Sequence, residues 1–159
     1  MSREWEIRGL DEINQKMMAY PMIYVREVSQ VLVSALLVLH ENVPSYPPKP
    51  ETSTYDRTGT LGRSLGIVSN DGKGGGMGGF GQPGIFRVKQ IGGFNFQGEF
   101  GTNLKYAPRV IGSRDQQTAP FNAYWWRLEE VVQWGYGKIL KLYQTFADKL
   151  AAFLDNQSQ

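Results

Sequence analysis

A chain of 159 residues with a formal charge of +2 and no cysteine is sized for one domain, which at this length buries roughly 70% of its unfolded surface. It has no disulfide, thiolate nucleophile or cysteine metal ligand. Seventeen basic residues against fifteen acidic ones exclude the strongly basic composition of a dedicated nucleic-acid binder. The imbalance is local: residues 49–109 hold eight Lys/Arg and four Asp/Glu, a net +4, while residues 1–48 sum to −2 and residues 110–159 to zero.

The first residues, Met-Ser-Arg-Glu-Trp-Glu, carry no basic-then-apolar leader pattern. The longest apolar run, Val31–Leu39, is nine residues broken only by Ser34, against the ~20 that a bilayer span takes. A soluble protein made in the cytoplasm, without membrane contact, is expected. Trp5-Glu6-Ile7-Arg8 alternates apolar and polar and predicts a short strand. A helix is expected to begin near Asp11, with Ile13 and Met17 four apart. Pro21 suits a first helical position, and a long helix is predicted over 22–43. Val25, Val28, Leu32, Ala35, Leu36 and Leu39 form its stripe, and Val31, Leu37 and Val38 widen it beyond the ~100° that a surface helix needs. Two readings stand: a central core helix, or a helix packed on its own domain on one side and on a neighbouring subunit on the other.

Residues 44–54 contain Pro44, Pro47, Pro48 and Pro50 and predict an extended loop, because proline removes donors and restricts its predecessor. Its PxxP spacing also matches peptides read by SH3-type domains, but short proline loops are common. Thr58–Leu65 has the spacing of a helical turn. Leu65, Ile67 and Val68 then read as a strand before a Ser-Asn-Asp-Gly turn. Residues 72–84 are eight-thirteenths glycine and predict a loop between strands; it is either a loose hairpin tip or a segment that orders against a partner. Ile85–Ile91 and Phe94–Phe100 read as a hairpin around Gly92-Gly93. From Phe121 the period is helical, with Tyr136, Ile139, Tyr143, Phe146, Leu150 and Phe153 in one stripe; Trp125, Leu128 and Val132 continue it backward. Gly135 and Gly137 predict a kink or break in that helix. The sum is one α+β domain over 1–159: an antiparallel sheet of three to four strands packed against a long N-terminal helix and a C-terminal helix.

Little here supports catalysis. His40 has no second histidine or cysteine with which to build a metal site, and it sits at a helix end, where a capping role suits it. The adjacent acids Asp11-Glu12 and Glu129-Glu130 point about 100° apart on a helix and read as solvated faces. Gly74, Gly76 and Gly79 match G-x-G-x-x-G, but a dinucleotide site needs a helix to follow, and Pro83-Gly84 and a strand follow instead. A P-loop needs Ser or Thr after Gly-Lys, and Gly72-Lys73 precedes Gly74. No enzyme activity, catalytic residue, cofactor or metal is expected.

The segment Tyr55-Asp56-Arg57-Thr58-Gly59-Thr60-Leu61-Gly62-Arg63-Ser64-Leu65, lying after a long helix and a proline loop, resembles the signature of the head–tail joining (tail-completion, neck) proteins of tailed bacteriophages and prophages. Phe100–Val110, with its Gly-Thr and Tyr-Ala pairs, resembles a second mark of that family, and Ala119-Pro120-Phe121 a third. The Gly-Thr and Tyr-Ala pairs stand in reversed order and the glycine loop is long for the family. The resemblance spans about residues 20–155. It implies a virion protein of the neck or tail (tail completion or tail terminator) that forms a homo-oligomeric ring, most often six-fold, through which DNA passes. Its partners would be neighbouring neck or connector and tail-tube proteins, with non-specific contact to the passing DNA.

Within the signature, Tyr55, Arg57, Thr58, Gly59, Leu61 and Ser64 read as a structural clasp. Gly59 would take a positive φ, Leu61 would anchor the turn in the core, and the Arg57 fork would tie the proline loop to a carbonyl or carboxylate. Candidate interface residues are Val31, Leu37 and Val38 on the broad helix and Met77 and Phe80 in the glycine loop. The alternative is a small cytoplasmic nucleic-acid-binding protein, in which Phe94, Phe96 and Phe100 serve as stacking platforms; the competing placement of those rings is the core.

Overall fold

The computed structural model describes residues 21–49, 51, 59–66, 84–119 and 121–156. The order of elements is α1 (Pro21–Glu41), α2 (Thr60–Leu65), β1 (Gly84–Gly92), β2 (Asn95–Thr102), α3 (Ala107–Ile111), α4 (Phe121–Tyr124) and α5 (Leu128–Asn156). The class is mixed helix and strand. The described sheet has two antiparallel strands, not three or four. The strand expected at Trp5–Arg8, the helix expected from Asp11, and most of the glycine loop lie outside the described residues.

The breadth of the apolar surface on α1 has a structural cause. One side of α1 packs on the hairpin, where Tyr24 meets Phe94 edge-on at 5.5 Å and Phe96 at 6.5 Å. The helix also packs on α5, where Tyr24 shares a core cluster with Phe146, Leu150 and Leu154, joined by Val28 and Val31, and where Val38 and Leu39 lie against Gly135. A helix packed on two elements needs more than one stripe; Val33 and Leu37 nevertheless stay exposed. The whole helix, at 21 residues, is also long and apolar enough to cross a membrane by length and composition; the nine-residue run understated this, because it counted only Val31–Leu39 and did not average over the helix past Arg26 and Glu27.

In the hairpin, Phe86 faces Phe100, Val88 faces Gly98 and Arg87 faces Glu99. Opposed residues share a face, so Phe86, Val88, Phe96 and Phe100 lie on the α1 side, and Arg87, Lys89, Gln97 and Glu99 on the other. Lys89 and Arg87 both bind the Glu99 carboxylate, Lys89 at 3.0 Å, and hold it below the usual carboxylate range. Gly98 lets α1 approach closely: a Cβ there would stand 3.3 Å from Leu36 Cδ2. The turn sits one residue later than expected, at Gly93-Phe94, with Gly92 paired to Asn95 and a bulge after Gln90. Gly93 takes φ 51°, and the shift delivers the Phe94 ring to Tyr24.

Two expectations in the C-terminal half are corrected. The helical pattern from Phe121 is interrupted at Trp125–Arg127, and α5 begins at Leu128. Glu130 takes the third position of that helix and reaches back to the Arg127 backbone N–H at 2.8 Å, as in a capping box. Glu130 is therefore a cap and an ion-pair partner of Arg127, not only a solvated acid. Once started, α5 runs unbroken through both glycines for 29 residues. At Gly135 a Cβ would meet Val38 Cγ1 at 3.3 Å and Leu39 Cδ2 at 3.4 Å, so this glycine is a contact point with α1 and not a kink. The buried stripe is Val131, Gly135, Phe146, Leu150 and Leu154; Tyr136 is exposed.

Candidate functional site

The described half of the signature forms a junction between three segments. Gly59 has φ 71° at the N-cap of α2 and supplies no side-chain cap. The first-turn donors of a helix need partners from elsewhere. Gly62 finds one at a distance, because its N–H donates to the Tyr46 hydroxyl, brought in by the proline loop. Tyr46 is itself buried and lies 5.0 Å from the Trp125 ring. Leu61 and Leu65 are buried beside it with Val110, Ile111, Trp126 and Val131. Ser64, 1% exposed, returns its hydroxyl to the Leu61 carbonyl at 2.8 Å.

The expected positive φ at Gly59, the helical turn and the core anchor at Leu61 are therefore present. Leu65, expected to open a strand, instead closes α2: Gly66 follows at φ 68° and its N–H returns to the Arg63 and Gly62 carbonyls, an αL cap. Residues 43–49 have no regular secondary structure, as the prolines predict. Gly84, expected in the glycine loop, is the first residue of β1 and pairs with Thr102. Tyr55, Arg57, Thr58, Met77 and Phe80 lie outside the described residues.

His40 joins the same junction. Its Nε2 lies 3.2 Å from the Gly66 carbonyl. A carbonyl only accepts, so Nε2 carries the proton. The ring also sits 6.3 Å from Phe100, which links α1, α2 and β2. Neighbouring this junction, Gln117 is 6% exposed. It donates to the Val110 carbonyl at 2.7 Å and to those of Trp125 and Trp126 at 3.3 Å, and accepts from Arg127 Nε at 3.1 Å. Gln117 thus fastens α3 to the start of α5, and it takes carbonyls that a continuous helix through Trp125 would have paired. Neither Tyr46 nor Gln117 stands out in sequence; the signal for Tyr46 is an aromatic between prolines, and for Gln117 there is none.

The candidate interface residues on α1 divide. Val31 and Val38 line a groove between α1 and α5, together with Leu142 and Phe146. Leu37 is 45% exposed, and Val33, one turn earlier, is 39% exposed. Phe94, Phe96 and Phe100 are half-buried on the α1 side of the hairpin, the core placement and not that of open stacking platforms. The second resemblance segment runs from the end of β2 into α3, where Ala107 is buried; the third leads into α4. Compared with known protein families, curated proteins and solved structures, the chain shows no significant match to any of them.

Proposed function

We propose that this chain is a structural virion protein of a tailed bacteriophage or prophage, a tail-completion or tail-terminator subunit that forms a ring at the head–tail junction. The observation that carries the reading is the segment Tyr55–Leu65, followed in order by Phe100–Val110 and Ala119–Phe121. The geometry around it supports an architectural role. Every described member of the signature contributes backbone conformation, burial or a hydrogen bond inside the fold. In this reading the subunits meet head to tail and close into a ring of six-fold symmetry, with DNA passing through and neck and tail-tube proteins on either side.

The decisive experiment uses virions of the phage, or particles induced from the prophage, that encodes this chain. Mass spectrometry of purified particles and a low-resolution electron-microscopy map should place the protein at the neck as a ring, and mass photometry of the isolated protein bound to its docking partner should give a closed multiple of the subunit. Absence of the protein from intact particles would overturn the proposal.

A further inference from the structure

The groove between α1 and α5 has about 530 Å³ of open volume, within the range of sites that hold a ligand. The two helices run antiparallel, meeting at Gly135 and Val38 and again where Tyr24 meets Phe146 and Leu154. Val31, Val38, Leu142 and Phe146 form the floor. Lys138, Lys141 and Lys149 form the α5 rim, at spacings that put all three on one side of the helix. The described ion pairs are Arg26–Glu27, Arg87–Glu99, Lys89–Glu99 and Arg127–Glu130, so none of the three lysines has a carboxylate partner among the described residues. On the opposite rim, Glu27 is held by Arg26 at 2.8 Å, and the Ser34 hydroxyl is bonded to the Gln30 carbonyl at 2.9 Å. The groove therefore has an apolar floor, one wall of three lysines and an opposite wall whose one acid, Glu27, is engaged by Arg26.

We propose that this groove docks an acidic amphipathic segment of a partner protein, with apolar side chains on the floor and Asp or Glu along the flank that faces α5. The three lysines span about 16 Å of helix axis, which matches three turns of a docked helix. Lysine stems also extend the apolar surface beside Leu142 while their ammonium groups reach the rim. A nucleic-acid backbone would satisfy the lysines, but it has no apolar groups to cover Val31, Val38 and Leu142, so the floor selects a peptide. The inference is independent of ring formation and is tested on the isolated protein.

The probe is a fluorescein-labelled peptide about 16 residues long, built of leucine and glutamate in an amphipathic helical repeat and followed by anisotropy at low and moderate salt. Saturable binding is expected, weakening as salt rises. The triple variant K138E/K141E/K149E, at exposed positions, should retain the wild-type melting temperature and bind about tenfold more weakly. A peptide with serine in place of leucine should lose binding, as should one with lysine in place of glutamate. Four outcomes each overturn the proposal: no binding of the acidic peptide at millimolar concentration, equal binding to the triple variant, equal binding of the serine peptide, or tighter binding of a random-sequence DNA duplex that the triple variant abolishes.

Discussion

Replacing Tyr46 by phenylalanine removes one oxygen and leaves the ring in place. That oxygen accepts from the Gly62 N–H, a first-turn donor of a helix whose N-cap, Gly59, provides no side-chain acceptor. Both residues are buried, so water has little access to the donor left behind. Leaving a buried donor unpaired costs about 1–3 kcal/mol, and a loss near the middle of that range is expected for Tyr46→Phe. Gly62→Ala attacks the same contact from the other side. Its Cβ would stand 2.9 Å from the Tyr46 hydroxyl oxygen and 3.1 Å from Cζ, so the ring or α2 must shift. Alanine gains about 1 kcal/mol of helix propensity over glycine, and the crowding should outweigh it to give a net loss of about 1–2 kcal/mol. In the double variant the closest obstructing atom is gone, and the second substitution should cost less than in the wild type, with a coupling of about 1 kcal/mol. Urea unfolding followed by far-UV circular dichroism reads all four proteins at a common m-value. A Tyr46→Phe loss below about 0.3 kcal/mol, or strict additivity of the pair, would refute the account of the clasp.

Gln117→Leu keeps the volume but withdraws the amide shared by the Val110, Trp125 and Trp126 carbonyls and the acceptor of Arg127; a loss of about 2–4 kcal/mol is expected in urea unfolding. The glycines should separate by environment. Gly98→Val drives a branched side chain into Leu36 and should cost about 1–3 kcal/mol, while Gly137→Ala, with nothing within 4 Å of its Cβ, should raise stability by up to about 1 kcal/mol. Glu99 is held below its ordinary range first by Lys89 and then by Arg87. A depressed carboxylate adds stability above its unfolded pKa and loses it as pH falls through its folded one. Carbon-13 NMR of the Glu99 carboxyl should therefore show a midpoint below that of a free glutamate, rising in Lys89→Met; an unchanged midpoint would contradict the ion pair.

What the sequence determined by itself is local. Pro21 and the apolar stripe define α1, Gly59 and Leu61 the turn into α2, the alternating phenylalanines the hairpin, and the three/four spacing from Tyr136 onward the existence of a C-terminal helix. Each depends on backbone preference or periodicity within a few residues. The tertiary structure decided what depends on a distant neighbour. Gly135 looked like a weak point because helix propensity sees only its missing side chain; α1 lies against it, and the gap is the contact. The turn at Gly92-Gly93 moved by one residue because Tyr24 offers the Phe94 ring a place. The pattern from Phe121 broke at Trp125 because Gln117, distant in structure type though near in sequence, occupies the carbonyls there. The charge on α5 was hidden by its own sum: residues 110–159 are neutral, yet folding sets Lys138, Lys141 and Lys149 along one wall of a groove that none of that segment's acids lines. The clasp shows the same division, since the sequence marks Gly59 and Leu61, but only chain folding brings the Tyr46 hydroxyl to the unpaired amide of Gly62.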